Sequence, residues 1–252
     1  MTASIKVIYF DLDDTLIPTS KIFRYCVTKS NLAVAKCIKK HYKSYKQKSV
    51  REIFNKVSEI RNKVIKEKGS NYKFQIDETL KRIGIGFNPQ VISAGVLAYH
   101  KATFEILKFS KEVYEFLNKI SKRFRIGILS SGITLKQWDK INQFLGVTQP
   151  FFTKNNVIIS EQFKIKGKTK RLFTEIIKRE NVEPKQVLYV GDRLDYDIVP
   201  AKQLGMKTIL VNNPSSKYYL KKDELKKISV KPDLIIKEVS EINEKLLEKR
   251  MI

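Results

Sequence analysis

Three carboxylates and a hydroxyl crowd into Asp11-Leu12-Asp13-Asp14-Thr15, directly after the apolar run Val7-Ile8-Tyr9-Phe10. Carboxylates at the end of a buried segment cost desolvation and mutual repulsion, and a bound cation would relieve both. The plainer alternative is that Asp13 and Asp14 cap a following helix. Two more polar groups end apolar runs in the same manner. Ser130-Ser131-Gly132 follows Phe124-Arg125-Ile126-Gly127-Ile128-Leu129, and Gly191-Asp192-Arg193-Leu194-Asp195-Tyr196-Asp197 follows Val187-Leu188-Tyr189-Val190.

Such groups need elements that bring them together. Each apolar run is too short for a helix and rich in β-branched or aromatic residues, so each predicts a buried strand, and strand C-termini open onto the ligand crevice of an α/β sheet. Apolar spacing predicts strands over 124–129, 157–159, 187–190, 208–211 and 234–236 after the first, and helices over 110–123, 138–145 and 169–180 between them. This alternation implies a mostly parallel sheet covered by helices. Trp138 is expected in the core.

Between Leu16 and Phe104 the pattern is different. Helical spacing covers 23–38, 50–64 and 77–83, Gly69-Ser70-Asn71 reads as a break, and Pro89 suits the first turn of another helix. The expectation is therefore a sheet core of residues 1–16 and 105–252 with a helical domain, 17–104, inserted into it.

The chain of 252 residues carries 50 Lys and Arg against 26 Asp and Glu, a net charge of +24 whose field draws anions. The charge is concentrated: between Lys21 and Arg82, 18 basic residues face 5 acidic ones. No apolar run approaches the length of a membrane span and no leader pattern opens the chain, so the expected location is the cytoplasm. Cys26 and Cys37 are too few for a disulfide framework.

The order and setting of the three polar clusters resemble the haloacid dehalogenase (HAD) superfamily, whose motifs are DxDxT, a Ser or Thr after a later strand, a Lys, and GDxxxxD. The stretch 190–195 and the segment from Asn88-Pro89 to Ala98-Tyr99-His100 look like an archaeal group of magnesium-dependent phosphatases in it. The resemblance implies a Rossmann-like core with a helical cap. It also implies hydrolysis of a small phosphate monoester through an aspartyl-phosphate: Asp11 as nucleophile, Asp13 as acid and base, Thr15 holding the loop, Ser130 and the Ser131 backbone on the phosphoryl oxygens. Magnesium, a hard cation that prefers oxygen ligands, would be held by Asp11, the Asp13 carbonyl and Asp192, with Asp197 behind them or as an alternative ligand.

The lysine departs from the pattern. Relatives commonly place Lys-Pro before the helix preceding the GD strand, but ungapped register from Phe173 and Asp192 puts Gly167 there, flanked by Lys166 and Lys168. Lys168, next to Thr169 at the helix start, is preferred over Lys166; Lys164 and Lys170 stay open. The expected partner is a small anionic phosphorylated substrate, for a monomer or homodimer. A mutase or dehalogenase of the same superfamily uses similar residues, although Asp13 argues against the latter. A nucleic-acid-binding role for the basic cap is disfavoured because no recognised RNA or DNA module is present.

Overall fold

The computed structural model describes residues 4–69, 72–243 and 246–247. Six described strands form one parallel sheet: β1 (Val7–Phe10), β2 (Arg125–Ser130), β3 (Val157–Ile159), β4 (Val187–Gly191), β5 (Lys207–Val211) and β6 (Leu234–Ile236). Their order is β3-β2-β1-β4-β5-β6, with every pairing parallel. All four β1 residues are fully buried, as a strand covered on both faces requires.

The helices in chain order are α1 (Thr19–His41), α2 (Val50–Lys68), α3 (Gln75–Arg82), α4 (Pro89–Ile106), α5 (Lys111–Ser121), α6 (Thr134–Leu145), α7 (Lys170–Glu180), α8 (Val199–Gln203) and α9 (Lys222–Lys226). Two compact units result: residues 1–21 with 107–252, and residues 22–106, so the division falls inside α1.

In the sheet unit Tyr9, Leu172, Phe173, Ile176 and Tyr189 share one core, with the Phe173 and Tyr189 rings edge to face at 4.7 Å. Tyr9 donates through its hydroxyl to buried Glu180 at 2.9 Å, and Glu180 pairs with Arg125 at 3.3 Å. Gly127 stands beside Tyr9 in the ladder. A Cβ there would lie 2.3 Å from Tyr9 Cζ and 2.6 Å from the Asn156 carbonyl oxygen. Because Glu180 pins the ring, Gly127→Ala should destabilise the sheet unit by at least about 1–3 kcal/mol, the cost of overpacking a filled core. An unchanged urea midpoint would show that the ring yields freely.

The helical unit follows its own local signals. Ser49 and Glu52 form a capping box at the start of α2. At its end Gly69, with φ of 88°, takes a backbone conformation open to glycine. The expected break begins there, and Ser70 and Asn71 lie outside the described residues. Asn88 caps α4 by accepting the Val91 amide at 3.0 Å, with Pro89 as its first residue. Val34, Ile38, Ile53, Val57, Ile76, Leu80 and Val91 make the apolar core. Inside this unit the buried Arg61 guanidinium donates to Ser30 Oγ at 2.8 Å and Asn31 Oδ1 at 3.0 Å, and burial lowers its pKa to about 10. Cys26 and Cys37 are free thiols. Among the described residues no helix is long and apolar enough to cross a membrane.

Trp138 is only half-buried; Gln137, one residue earlier, takes the buried place. The inward face of α6 runs through Gln137, Ile141, Phe144 and Leu145 at helical spacing, and Trp138 falls outside that set.

Candidate active site

The sheet sends its polar residues out at one end because parallel strands share a direction. The Asp11 amide donates to the Val190 carbonyl at 2.8 Å, extending the β1–β4 ladder one residue past β1. That bond leaves the Asp11 side chain at the strand mouth. Across from it Lys168, 4% exposed at its side chain, places Nζ 2.7 Å from Asp11 Oδ1 and 2.5 Å from Asp197 Oδ1. Asp197 is fully buried; its Oδ2 accepts the Arg193 amide at 2.9 Å, and the Tyr189 hydroxyl donates to its Oδ1 at 3.1 Å. Asp192 has a looser hold, accepting from Ser216 Oγ at 3.2 Å.

One carboxylate oxygen from each of Asp11, Asp192 and Asp197 lies within 4.8 Å of the others. Among the described residues only Lys168 offsets this charge at close range. Burial, then repulsion from Asp197 and Asp13 against the pull of Lys168, lifts the Asp11 pKa to about 7. Burial together with Asp11 and Asp197 raises Asp192 to about 9. The Lys168 pKa is raised too, which for an amine favours the charged form: burial alone would depress it, but Asp11 and Asp197 overcome that and hold the ammonium charged. Three buried hard-oxygen donors with an uncompensated negative charge fit a divalent cation.

Asp13 stands apart from this trio, with about a third of its side chain exposed. Its Oδ1 accepts from Lys140 Nζ at 2.6 Å and Thr19 Oγ1 at 2.6 Å, and its Oδ2 from Gln137 Nε2 at 2.9 Å. Burial would raise its pKa, yet the Lys140 charge and these hydrogen bonds hold it below the usual carboxylate range. Gln137 also donates to Ser130 Oγ at 2.7 Å and to the Ser131 carbonyl at 3.0 Å, which joins Ser130 to Asp13 through one amide.

Asp14 is the helix cap of this group: the Ser20 amide donates to it at 2.7 Å and the Ser20 hydroxyl donates to its other oxygen. It adopts φ of 59°, a conformation Asp tolerates in tight turns. Thr15 Oγ1 is buried with no hydrogen-bond partner, so the loop is held through Asp14 and through the Leu16 and Ile17 amides on the Leu12 carbonyl, not through the Thr15 hydroxyl. Lys166 is exposed and outside the cluster. The reason lies in Gly167, which turns with φ of 79° beneath the Tyr196 ring, so the next residue is the one directed inward.

Gln137, Lys140, Thr19, Tyr189 and Ser216 were not singled out from sequence. Gln137 and Lys140 sit four and seven residues after Gly-Ile, on the first two turns of α6, whose N-cap Ile133 makes no side-chain cap bond. Nothing in that stretch announces a helix start. Tyr189 reads as an ordinary strand aromatic.

Residues 8–211 match the family described as haloacid dehalogenase-like hydrolase. A glyceraldehyde 3-phosphate phosphatase of Methanopyrus kandleri is 35% identical over 208 residues, 82% of this chain and 84% of that one. The protein of the same name from Pyrococcus furiosus is 34% identical over 206 residues, 81% and 80% of the two chains. Among solved structures, the magnesium-bound HAD-hydrolase YfnB of Bacillus subtilis superposes with a TM-score of 0.61 at 15% identity, over 99% of this chain and 100% of that one.

Proposed function

The chain belongs to the haloacid dehalogenase-like hydrolase family, and from that premise we propose that it is a phosphatase that hydrolyses a small phosphate monoester with magnesium. The observation that carries this reading is buried Asp11 held 2.7 Å from Lys168 at the mouth of the central strand, with Asp192 and Asp197 oxygens within 4.8 Å. The phosphatase names of relatives about a third identical support it.

In the proposed reaction an Asp11 carboxylate oxygen forms a bond to phosphorus as the ester P–O bond breaks, leaving a phosphoryl group on Asp11. Water then attacks that phosphorus, phosphate departs and Asp11 is restored; one difficult displacement becomes two easier ones. Asp11 and Asp192, with the Asp13 carbonyl, would hold magnesium, and Asp197 is turned instead toward Lys168, Tyr189 and the Arg193 amide. Magnesium, when bound, supplies the positive charge that lets a carboxylate and a phosphate approach each other. Lys168 orients Asp11 and faces the phosphoryl oxygens. Because Gln137 donates to Ser130 Oγ, the Ser130 O–H is left to donate outward to a phosphoryl oxygen.

Asp13 moves the proton. Held ionised by Lys140, it is ready to take a proton from the attacking water. Protonating the leaving oxygen in the first step requires a protonated Asp13, hence a weaker hold by Lys140 while substrate is bound. The excess of basic residues between Lys21 and Arg82 suits an anionic substrate.

The test is release of inorganic phosphate from a panel of small phosphate monoesters that includes glyceraldehyde 3-phosphate. Turnover should disappear on exhaustive chelation and return with magnesium, while calcium, with its longer and more flexible coordination, should restore it poorly. Undiminished turnover after chelation would remove the metal from the reaction. No phosphate from any member of the panel would overturn the phosphatase reading.

A further inference from the structure

Arg193 follows Asp192 directly, yet its guanidinium is not spent on the reaction. Its Cζ lies 3.9 Å from the Tyr196 ring centroid and 4.2 Å from that of Tyr218, Nη1 donates to the Tyr218 hydroxyl at 3.1 Å, and Nε and Nη2 bond Asp195 at 3.0 and 2.6 Å. The contacts reach two separate connections, and through Tyr196 a third. Tyr218 belongs to the segment after β5, whose Ser216 hydroxyl donates to Asp192 and accepts the Tyr218 amide at 3.1 Å. Tyr196 belongs to the π turn after β4 and lies over Gly167, where an added Cβ would meet Tyr196 Cε1 at 2.8 Å. Lys168 is the next residue.

We propose that Arg193 is a positioning residue: by binding Tyr196 and Tyr218 at once it clasps the connections after β3, β4 and β5, and so holds Lys168, Asp192 and Ser216 in the arrangement that takes up magnesium. This inference rests on the phosphatase reading and on its metal. A planar guanidinium suits the task because it binds ring faces and a carboxylate fork together, which an ammonium on a flexible stem cannot do. Groups behind metal ligands fix their orientation, and losing one commonly weakens metal binding about 10- to 100-fold.

Magnesium binding to the substrate-free protein is measured by calorimetry, beside steady-state turnover. Arg193→Leu and Tyr218→Leu should each raise the magnesium dissociation constant roughly 10- to 100-fold. At saturating magnesium kcat should recover most of its value, since no reacting group has been removed. Tyr218→Phe keeps the ring and should stay within about threefold of wild type, and Arg193→Lys should not rescue. Unchanged magnesium affinity in folded Arg193→Leu overturns the inference while leaving the phosphatase reading standing. Should that variant not fold, unchanged affinity in Tyr218→Leu does the same. Wild-type protein that takes up no magnesium overturns the metal reading and this inference with it.

Discussion

Asp11→Asn should lower phosphate release by about four to six orders of magnitude, the scale of loss when the nucleophile is removed from a preorganised site. An amide oxygen is too weak a nucleophile to open the phosphate ester, and no other carboxylate can replace it. Asp192 is in reach of the same ligand but is oriented by Ser216, and Asp197 has both oxygens engaged by Lys168, Tyr189 and the Arg193 amide. The fold should survive. Asn is nearly isosteric with Asp, and Lys168 keeps Asp197 at 2.5 Å. The measurement pairs phosphate release with a thermal melt: a folded variant with wild-type turnover would dismiss Asp11 as the nucleophile.

Lys168→Met carries the second large effect, and it falls on stability as well as rate. The ammonium is enclosed, with carboxylates on two sides at 2.7 and 2.5 Å. Removing it strands Asp11 and Asp197 in a site that already raises carboxylate pKa values, and breaking a buried pair from one side costs about 3–5 kcal/mol. For a chain of this size that corresponds to a drop in melting temperature of roughly 10 °C in the absence of divalent ions. Added magnesium should raise the melting temperature of this variant by more than it raises that of the wild type, because the cation answers charge that Lys168 no longer does. Equal melting temperatures without divalent ions would mean that the lysine contributes nothing to the cluster. Turnover should fall along with it, since Asp11 loses the group that orients it.

What could be read from the sequence was whatever local pattern determines. Four apolar residues ending in Asp11, and Val187 to Val190 ending in Gly191-Asp192, announce strands by composition, and parallel strands put their ends together; the sheet unit and the carboxylates at its mouth follow. The helical unit was legible for a similar reason, since the apolar spacing over 50–64 and Pro89 in a first turn are signals held within a few residues, and α2 and α4 begin at Val50 and Pro89. The lysine was ambiguous because the deciding contact is nonlocal: Gly167 turns beneath Tyr196, 29 residues away, and no register argument within 164–170 contains that ring. Gln137 and Lys140 were invisible because α6 starts without a capping side chain, so its first turn looked like loop. Asp14 had two readings from sequence, metal-side carboxylate or cap, and the bonds to Ser20 decide for the cap. The five-residue helices α8 and α9 are too short to show periodicity.

The place of β1 at the middle of the sheet has a consequence for the chain as it is being made. β1 is synthesised first, but the strands that flank it begin only at Arg125 and Val187. Until the ribosome has passed β4, Val7-Ile8-Tyr9-Phe10 has at most one of its two neighbours, and Lys168 and Asp197 cannot meet. Residues 22–106 form a continuous unit with its own core, so they can condense while that strand waits. Pairing across such separations is slow because loop closure must precede its reward. A nascent chain arrested shortly before β4 would therefore carry a finished helical unit while β1 still has one unpaired apolar edge, the kind of exposed strand edge that chaperones exist to cover.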